Sequence, residues 1–390
     1  MILIDKPYVS DFLINIIKEK QLPIIATKTA KEMIGEQNLK WISEEDAKVH
    51  FQQNPDAKIY TNSENAIQWL EDHLPETRFP KQAEIFKNKV KFRELIADQY
   101  PDYFFRSVKY SALKNLDINQ IKFPIVLKPS VGFFSIGVSR IDNASEWSET
   151  ISKLDSEIEK TKHLYPEKVV NVSDFIIEQV IEGNEFAVDC YFDEKGEPVI
   201  LNILHHVFSS GKDVSDRIYS TSKQIIESNH DNVMNFLKMV NSKTHLKNFP
   251  AHVEIRIDDN GKINPIEINP LRFGGWCTTA DLTWYSYGIN SYEYFLKGLK
   301  PDWEKVFSTR QNKIYSIVIL DNNSGIHSSE IEYFDFDKLL QDFEKPLDLR
   351  KVDYNVQPFF AIMFVETTMG NEAELDEILT SNLQKYIVKK

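Results

Sequence analysis

Two acidic residues, Glu254 and Glu267, lie on either side of an Asn-Gly dipeptide at positions 260–261. Asn-Gly is typical of a two-residue hairpin turn, because both turn positions take positive φ. With the turn at these residues, counting back places Glu254 opposite Glu267 and His252 opposite Asn269. The alternation of apolar and polar residues along both arms agrees with this register.

Directly opposed side chains on a hairpin lie about 5 Å apart at Cβ, and like charges there are destabilising. A shared proton, a neighbouring cation or a bound divalent metal can each offset the repulsion. Glu254, Glu267 and the amide oxygen of Asn269 form an all-oxygen set, which suits Mg²⁺ or Mn²⁺ better than zinc. The alternative is an exposed hairpin face whose acids are solvated or paired with Arg256.

The hairpin is expected within a β-rich middle region that follows an α/β start. Residues 2–4 and 22–26 predict short strands on either side of a helix capped by Ser10, which favours a small parallel sheet. This start lacks the Gly-x-Gly-x-x-Gly turn of a dinucleotide site, so a nicotinamide cofactor has no support. One helix is predicted over about 81–99, and a last β/α segment follows Pro301.

The residues after the hairpin carry a resemblance. Glu267-Ile268-Asn269-Pro270, followed by Arg272 and Gly274-Gly275, resembles the metal- and phosphate-binding signature of ATP-grasp enzymes. The resemblance implies that Glu254, Glu267 and Asn269 hold Mg²⁺ (or Mn²⁺) between the phosphates of ATP. The family Arg usually follows the Asn by two residues, whereas here Arg272 stands one further along.

The resemblance also implies an Arg that holds the carboxylate of the substrate or the tetrahedral intermediate of the reaction. Arg272 is the first candidate, and Arg256 and Arg217 are the alternatives. His252 is a further active-site candidate, because a His-x-Glu pattern places it beside a predicted metal ligand, although a structural role fits it equally well.

Other parts of the ATP-grasp pattern occur in family order. Lys89 and the strand ending near Lys128 resemble the elements that carry the phosphate-binding Lys residues. The loop at 131–138 resembles the Gly/Ser loop over the triphosphate, and the segment at 175–185 resembles the hinge that seats adenine and ribose. Backbone N–H groups of small residues can approach phosphate oxygens closely. The resemblance implies nucleotide contacts from Lys89, Lys128, Ser130, Gly132, Ser135, Gly137, Val138, Glu178, Gln179, Val180, Ile181 and Glu185.

The resemblance also implies a mixed α/β ATP-grasp fold in which two β-rich lobes grip ATP. The expected domains are a Rossmann-like pre-ATP-grasp domain at 1–80, the ATP-grasp domain at 81–300 with a lid at about 105–180, and a C-terminal α/β extension at 301–390.

Most ATP-grasp enzymes activate a carboxylate as an acyl phosphate, which a nucleophile then attacks. We therefore expect an ATP-dependent carboxylate–amine ligase that forms an amide or peptide bond between small substrates, with amino acids as the expected class. Two alternatives remain, namely a thiol or hydroxyl acceptor and a nucleotide-binding protein without catalysis. Retention of Glu254, Glu267 and Asn269 argues against the last.

Composition restricts the classes of partner. The 390-residue chain has a net charge of −13, which argues against a nucleic-acid groove, and no apolar run approaches the ~20 residues of a membrane-spanning helix. Its two cysteines, Cys190 and Cys277, provide no disulfide framework, and the first residues lack the features of a signal peptide. We expect a reduced, cytoplasmic protein without nucleic-acid or membrane partners, and a homo-oligomer remains open.

Overall fold

The computed structural model describes residues 1–35, 38–131, 137–161, 171–210 and 215–390. The amino-terminal part is a small parallel sheet with strand order β3-β2-β1-β4, as predicted. The predicted cap also forms, because Ser10 Oγ accepts the Leu13 N–H at 3.1 Å. The elements of this part are β1 (Ile2–Leu3), α1 (Asp11–Lys20), β2 (Ile24–Ile25), α2 (Lys28–Ile34), β3 (Trp41–Ile42), α3 (Glu44–Gln53), β4 (Tyr60–Thr61) and α4 (Ala66–His73).

The single helix predicted over 81–99 is wrong, because the structure has two helices there, α5 (Arg78–Lys87) and α6 (Lys89–Ile96). Asn88 has extended backbone angles and ends α5. Its side-chain oxygen accepts the N–H groups of Val90 and Lys91, so it also caps α6. The break turns the chain immediately before Lys89 and makes that residue the first of α6.

A second, antiparallel sheet has the strand order β5-β8-β6-β7. One face packs on the helix that follows β7, and the core between them includes Leu127, Trp147, Ile151 and Ile177. This unit lies within the range predicted for the lid. Its elements are β5 (Phe105–Lys109), β6 (Ile125–Val131), β7 (Ser139–Ile141), α7 (Trp147–Thr161) and β8 (Asn171–Gln179).

The largest sheet has eight strands in the order β13-β12-β9-β10-β11-β14-β17-β16, and all its pairs are antiparallel. Three of its strands come from the segment after Pro301, so the predicted C-terminal extension continues the central sheet. Up to residue 297 the elements are β9 (Asn184–Phe192), β10 (Pro198–Val207), β11 (Ile218–Ser222), α8 (Lys223–Thr244), β12 (Phe249–Ile257), β13 (Ile263–Pro270), α9 (Thr278–Tyr287) and α10 (Ser291–Lys297).

The C-terminal segment also forms a separate two-stranded sheet, β15-β18, over its own apolar core. Among the residues that the structure describes, no helix is long and apolar enough to cross a membrane. The elements here are α11 (Trp303–Phe307), β14 (Lys313–Asp321), β15 (Ile331–Phe334), α12 (Phe336–Gln341), β16 (Pro346–Lys351), β17 (Phe359–Thr368), α13 (Ala373–Thr380) and β18 (Ile387–Lys389).

The β12–β13 hairpin pairs Glu254 with Glu267, as predicted, but its turn differs. Asp258 N–H donates to the Lys262 carbonyl at 3.1 Å, so the loop has three residues and the predicted two-residue turn is wrong. The last loop residue, Gly261, has φ of +79°, which glycine adopts readily.

A β-bulge restores the predicted register nearer the carboxylates. The predicted two-residue turn would place Ile255 opposite Ile266. In the structure Ile255 pairs with Pro265, and the next pair is Glu254 with Glu267. Ile266 is therefore the extra residue on β13. It offsets the extra residue of the loop, so that Glu254 and Glu267 share one face of the sheet.

Candidate functional site

The opposed carboxylates lie together with the predicted amide ligand. Asn269 Nδ2 lies 3.3 Å from Glu254 Oε1 and 3.2 Å from Glu267 Oε1. The side chains of the two acids are 28% and 25% exposed, whereas Asn269 is almost fully buried. The three residues thus form a polar set that is open on one side and held by the sheet on the other.

The two acids have different electrostatic surroundings. Burial and the charge of Glu267 raise the pKa of Glu254 well above its ordinary value. Burial would also raise the pKa of Glu267, but nearby lysines hold it below its ordinary value, above all Lys89, whose Nζ is 3.1 Å from Glu267 Oε2. In the absence of a metal, the pair therefore favours a neutral Glu254 beside an ionised Glu267.

The donor chemistry of this set fits a hard divalent cation. Glu254 and Glu267 offer carboxylate oxygens, and rotation of the Asn269 amide by half a turn would present its oxygen in place of its NH₂ group. Within the described ranges, no cluster of three or more His, Cys, Asp or Glu side chains has the arrangement of a metal site. A third protein ligand beside Glu254 and Glu267 would therefore be the amide oxygen of Asn269.

His252 is held beneath the carboxylates by a residue that the sequence did not indicate as functional. Its Nδ1 lies 2.8 Å from Asp189 Oδ1, and its Nε2 lies 3.6 Å from Glu254 Oε1. Asp189 is fully buried and also accepts the Gly274 N–H at 3.1 Å and the Thr279 hydroxyl at 2.5 Å. The available signal was one acid within the apolar run of β9, because buried acids require partners.

Arg272, the first candidate for the substrate carboxylate, is paired with an acid of the amino-terminal part. Its Nη2 lies 2.5 Å from Glu64 Oε1, and Glu64 also pairs with Lys87. Burial would raise the pKa of Glu64, but Lys87 and Arg272 hold it well below its ordinary value. Nothing in the sequence around Glu64 indicated this role, because its partners lie 23 and 208 residues away.

Lys128 and Glu178, two predicted nucleotide contacts, form a buried ion pair with each other. Arg93 Nε also donates to Glu178 at 2.9 Å. Burial would raise the pKa of Glu178, yet Arg93 and Lys128 lower it to about 2, whereas burial lowers the pKa of Lys128. The predicted adenine-facing acid is thus an ionised centre between two cations.

The predicted Gly/Ser loop is described only at its two ends. Gly132 and Ser135 lie outside the described residues. Ser130 Oγ donates to the Asp174 carbonyl at 3.0 Å, which links β6 to β8, and Val138 is exposed. Gly137 has φ of +71°, a conformation that favours glycine.

The predicted hinge lies between β8 and β9. Gln179 binds the chain before β5, with its Oε1 accepting the Phe104 N–H at 2.9 Å, and Val180 and Ile181 are half-buried. Arg256 Nη1 donates to the Ile181 carbonyl at 2.7 Å.

Glu185, the predicted ribose ligand, has two basic neighbours in the structure. Arg256 Nε lies 3.0 Å from its Oε2, and His206 Nδ1 lies 2.8 Å from its Oε1. Burial would raise the pKa of Glu185, but His206 and Arg256 lower it. Arg256 therefore pairs with Glu185 and not with the opposed carboxylates, which removes the alternative in which it screens them.

Arg217 is placed with the C-terminal segment. It is 2% exposed, its Nη2 lies 2.6 Å from Asp321 Oδ1, and its Nη1 donates to the carbonyls of Ile378 and Ser381. The structure therefore pairs the Arg217 guanidinium with the C-terminal segment.

Comparisons with known proteins identify the domain and the fold. Residues 121–280 match the family model of the ATP-grasp domain, and no curated protein sequence matches the chain. The L-amino acid ligase from Bacillus licheniformis superposes with a TM-score of 0.70 at 19% identity, covering 100% of this chain and 98% of that chain.

Two further solved structures are similar. For N5-carboxyaminoimidazole ribonucleotide synthetase from Thermotoga maritima the TM-score is 0.62 at 16% identity, with 100% of this chain and 99% of that chain covered. For the biotin carboxylase–βγ-ATP complex from Campylobacter jejuni the TM-score is 0.63 at 12% identity, with 94% of this chain and 87% of that chain covered. The predicted mixed α/β ATP-grasp fold is confirmed.

Proposed function

We propose that this chain, which has the ATP-grasp fold and carries an ATP-grasp domain, is an ATP-dependent carboxylate–amine ligase for small substrates, with amino acids as the substrate class. In the first step a carboxylate oxygen attacks the γ-phosphorus of ATP, which gives an acyl phosphate and ADP. In the second step an amine attacks the acyl carbon, inorganic phosphate leaves and the amine loses a proton. The product is an amide or peptide.

The observation that carries this proposal is the arrangement of Glu254, Glu267 and Asn269 beside Lys89. The first three residues offer oxygen ligands on one face of a hairpin, and the fourth neutralises one of the acids at 3.1 Å. Mg²⁺ or Mn²⁺ held by this set would neutralise phosphate charge. An oxygen-ligand set next to a cation suits phosphoryl transfer, since its catalysis consists mainly of positioning and charge stabilisation.

The chain's own residues have distinct roles in this reaction. Lys89 and Lys128 supply positive charge to the phosphates, and Lys128 must exchange its partner Glu178 for a phosphate oxygen when ATP binds. Arg272 binds the substrate carboxylate and then the oxyanion of the tetrahedral intermediate, while Glu64 keeps its guanidinium in place. His252 is held by Asp189 with its Nε2 3.6 Å from Glu254 Oε1, where it adds a polar neighbour to this ligand. No protein nucleophile is required.

The substrate class has support that is separate from the use of ATP. A structure named L-amino acid ligase is similar along the whole chain, but at 19% identity it is evidence for the fold alone. We assign amino acids because Arg272, which is held by Glu64, supplies a cation for a substrate carboxylate, and an amino acid carries both the carboxylate and the amine that the reaction joins. The ATP-grasp domain at 81–300, its lid at about 105–180 and a cytoplasmic location belong to the same proposal.

The test is a screen of amino-acid pairs for phosphate release, followed by mass spectrometry of the products. The expected result is phosphate release that requires ATP, a divalent metal, a carboxylate and an amine, with a condensed product of matching mass. Release that requires a thiol or an alcohol instead would reassign the acceptor. Activity that survives Glu267→Ala would overturn the metal site, and ATP binding without turnover for every pair would overturn the ligase assignment.

A further inference from the structure

Arg93 of α6 is a buried cation that the proposed reaction does not use. It is 3% exposed, and all three of its nitrogens have a partner. Nε donates to Glu178 at 2.9 Å, Nη1 donates to the Pro265 carbonyl at 2.7 Å, and Nη2 donates to the Ile266 carbonyl at 3.2 Å. The guanidinium of Arg93 therefore connects its own helix, α6, to β8 and β13.

Two of these partners form the β-bulge of β13. Ile266 is the extra residue that shifts the register between the pairs Ile255–Pro265 and Glu254–Glu267. Side chains alternate between the faces of a strand. In a regular pairing that continued from Ile255–Pro265, Ile266 would lie opposite Glu254, and Glu267 would point to the other face of the sheet. The bulge is thus the feature that brings the two carboxylates together, and Arg93 binds its carbonyl groups directly.

The third partner belongs to the other sheet. Glu178 lies on β8, next to β6, and it also pairs with Lys128. When Lys128 turns towards a phosphate, Arg93 is the cation that still holds the Glu178 carboxylate. The guanidinium therefore links the strand with the predicted adenine-facing acid to the strand that carries Glu267.

We propose that Arg93 is a positioning residue that sets the geometry of the divalent-metal site through the β13 bulge and couples it to Glu178 at the nucleotide site. This inference rests on the proposed function. A planar guanidinium presents its N–H groups at fixed angles, so it can bind two adjacent carbonyls and a carboxylate at once. The compact ammonium of a lysine cannot reproduce this set.

The experiment measures ATP affinity by calorimetry at a series of Mg²⁺ concentrations for the wild type and Arg93→Lys. Changes in groups that orient metal ligands typically weaken metal binding 10- to 100-fold. We therefore expect the Mg²⁺ concentration for half-maximal ATP affinity to rise about tenfold or more. The melting temperature without ligands should still be that of a folded protein.

The matched control is Arg217→Lys. Arg217 is equally buried and likewise joins one carboxylate to two carbonyls, but in the C-terminal segment. The variant Arg217→Lys should lower the melting temperature without changing the dependence of ATP affinity on Mg²⁺. A purely structural Arg93 would behave like this control, and an unchanged Mg²⁺ dependence in Arg93→Lys would overturn the proposal.

Two further outcomes are decisive. If Arg93→Lys and Arg93→Gln both fail to fold while Arg217→Lys folds, Arg93 serves the stability of the fold as a whole and the proposal is wrong. If the wild type itself shows no Mg²⁺-dependent ATP binding, the proposed function fails before the question of Arg93 arises, so the two failures are distinguishable.

Discussion

Glu254 lies directly opposite Glu267 across the β12–β13 hairpin. Of these two acids, Glu267 is the one that forms an ion pair with Lys89, whose Nζ lies 3.1 Å from Glu267 Oε2. Burial and the charge of Glu267 raise the pKa of Glu254, whereas Lys89 helps to hold that of Glu267 below its ordinary value. The site is therefore asymmetric before any metal binds. One acid is compensated by a cation and the other by a proton.

This asymmetry predicts that metal binding releases a proton. A divalent ion binds the carboxylate form, so it must displace the proton from Glu254, and Mg²⁺ affinity should rise with pH until the pH exceeds the raised pKa of Glu254. Calorimetry in two buffers of different ionisation enthalpy measures the released proton. The variant Glu254→Gln should release none, and a pH-independent Mg²⁺ affinity in the wild type would contradict the prediction.

The two acids should also respond oppositely to neutralisation. Glu254→Gln replaces a group that favours its neutral form, so the free energy of unfolding without metal should be unchanged or slightly higher. Glu267→Gln removes the negative charge that lies 3.1 Å from Lys89 Nζ and should lower that free energy by about 1–2 kcal/mol. Denaturant unfolding in the presence of a chelator compares them. Equal losses in both variants would argue against the asymmetry.

Much of the hairpin could be predicted from its sequence, although for a partly wrong reason. The Asn-Gly signal predicted a two-residue loop, whereas the loop has three residues, and the bulge at Ile266 cancels the difference. The pairing of Glu254 with Glu267 is therefore correct, while that of Ile255 with Ile266 is not. A local turn signal cannot reveal a bulge that is stabilised by Arg93, a residue on another element.

The partners of the predicted residues could not be derived in the same way. Arg93 and Glu178 are 85 residues apart, Asp189 and His252 are 63 apart, and Glu64 lies far from Arg272. Motifs report residues that are close in sequence, whereas these contacts depend on how separate sheets and helices pack. The same limit applies to Arg217, whose sequence position suggested the site although its side chain packs in the C-terminal segment.

The pair of Arg272 and Glu64 predicts a separation of stability from turnover. Arg272→Lys keeps a cation beside Glu64, so the fold should survive, but a lysine loses the paired N–H geometry that suits a carboxylate. Turnover should fall by at least ~10²-fold, the effect of removing one donor to a developing oxyanion. Steady-state kinetics and thermal unfolding together measure both effects.

Glu64→Gln is the matched variant for this pair. It leaves Arg272 in place but frees its guanidinium to move, so we expect a smaller loss of turnover together with a lower melting temperature. Arg272→Lys with wild-type turnover would remove this residue from the reaction.

Glu178 predicts a specific loss of stability in acid. Its pKa in the folded protein is about 2, below the ordinary value of 4.5, so its stabilising effect is fully present above pH 4.5 and is lost as the pH falls towards 2. The shift corresponds to on the order of 3 kcal/mol. Denaturant unfolding between these pH values should show a shallower pH dependence for Glu178→Gln than for the wild type, and parallel curves would contradict the assignment.

Gly274 predicts a steric effect in the loop that follows the metal ligands. A Cβ at this position would lie 2.3 Å from Thr279 Oγ1 and 2.5 Å from its Cγ2, so Gly274→Ala forces the loop away from α9. It would also disturb the Gly274 N–H bond to Asp189. Overpacking of this kind costs about 1–3 kcal/mol of unfolding free energy.

Gly275→Ala is the matched control for this clash, because a Cβ there meets no atom within 4 Å, and it should change the unfolding free energy by less than about 0.5 kcal/mol. Thr279→Ala removes the two closest atoms. In the double variant with Gly274→Ala the losses should therefore be non-additive, with a favourable coupling of about 1 kcal/mol measured by denaturant unfolding. Additive losses would mean that Gly274 is required for a reason other than its contact with Thr279.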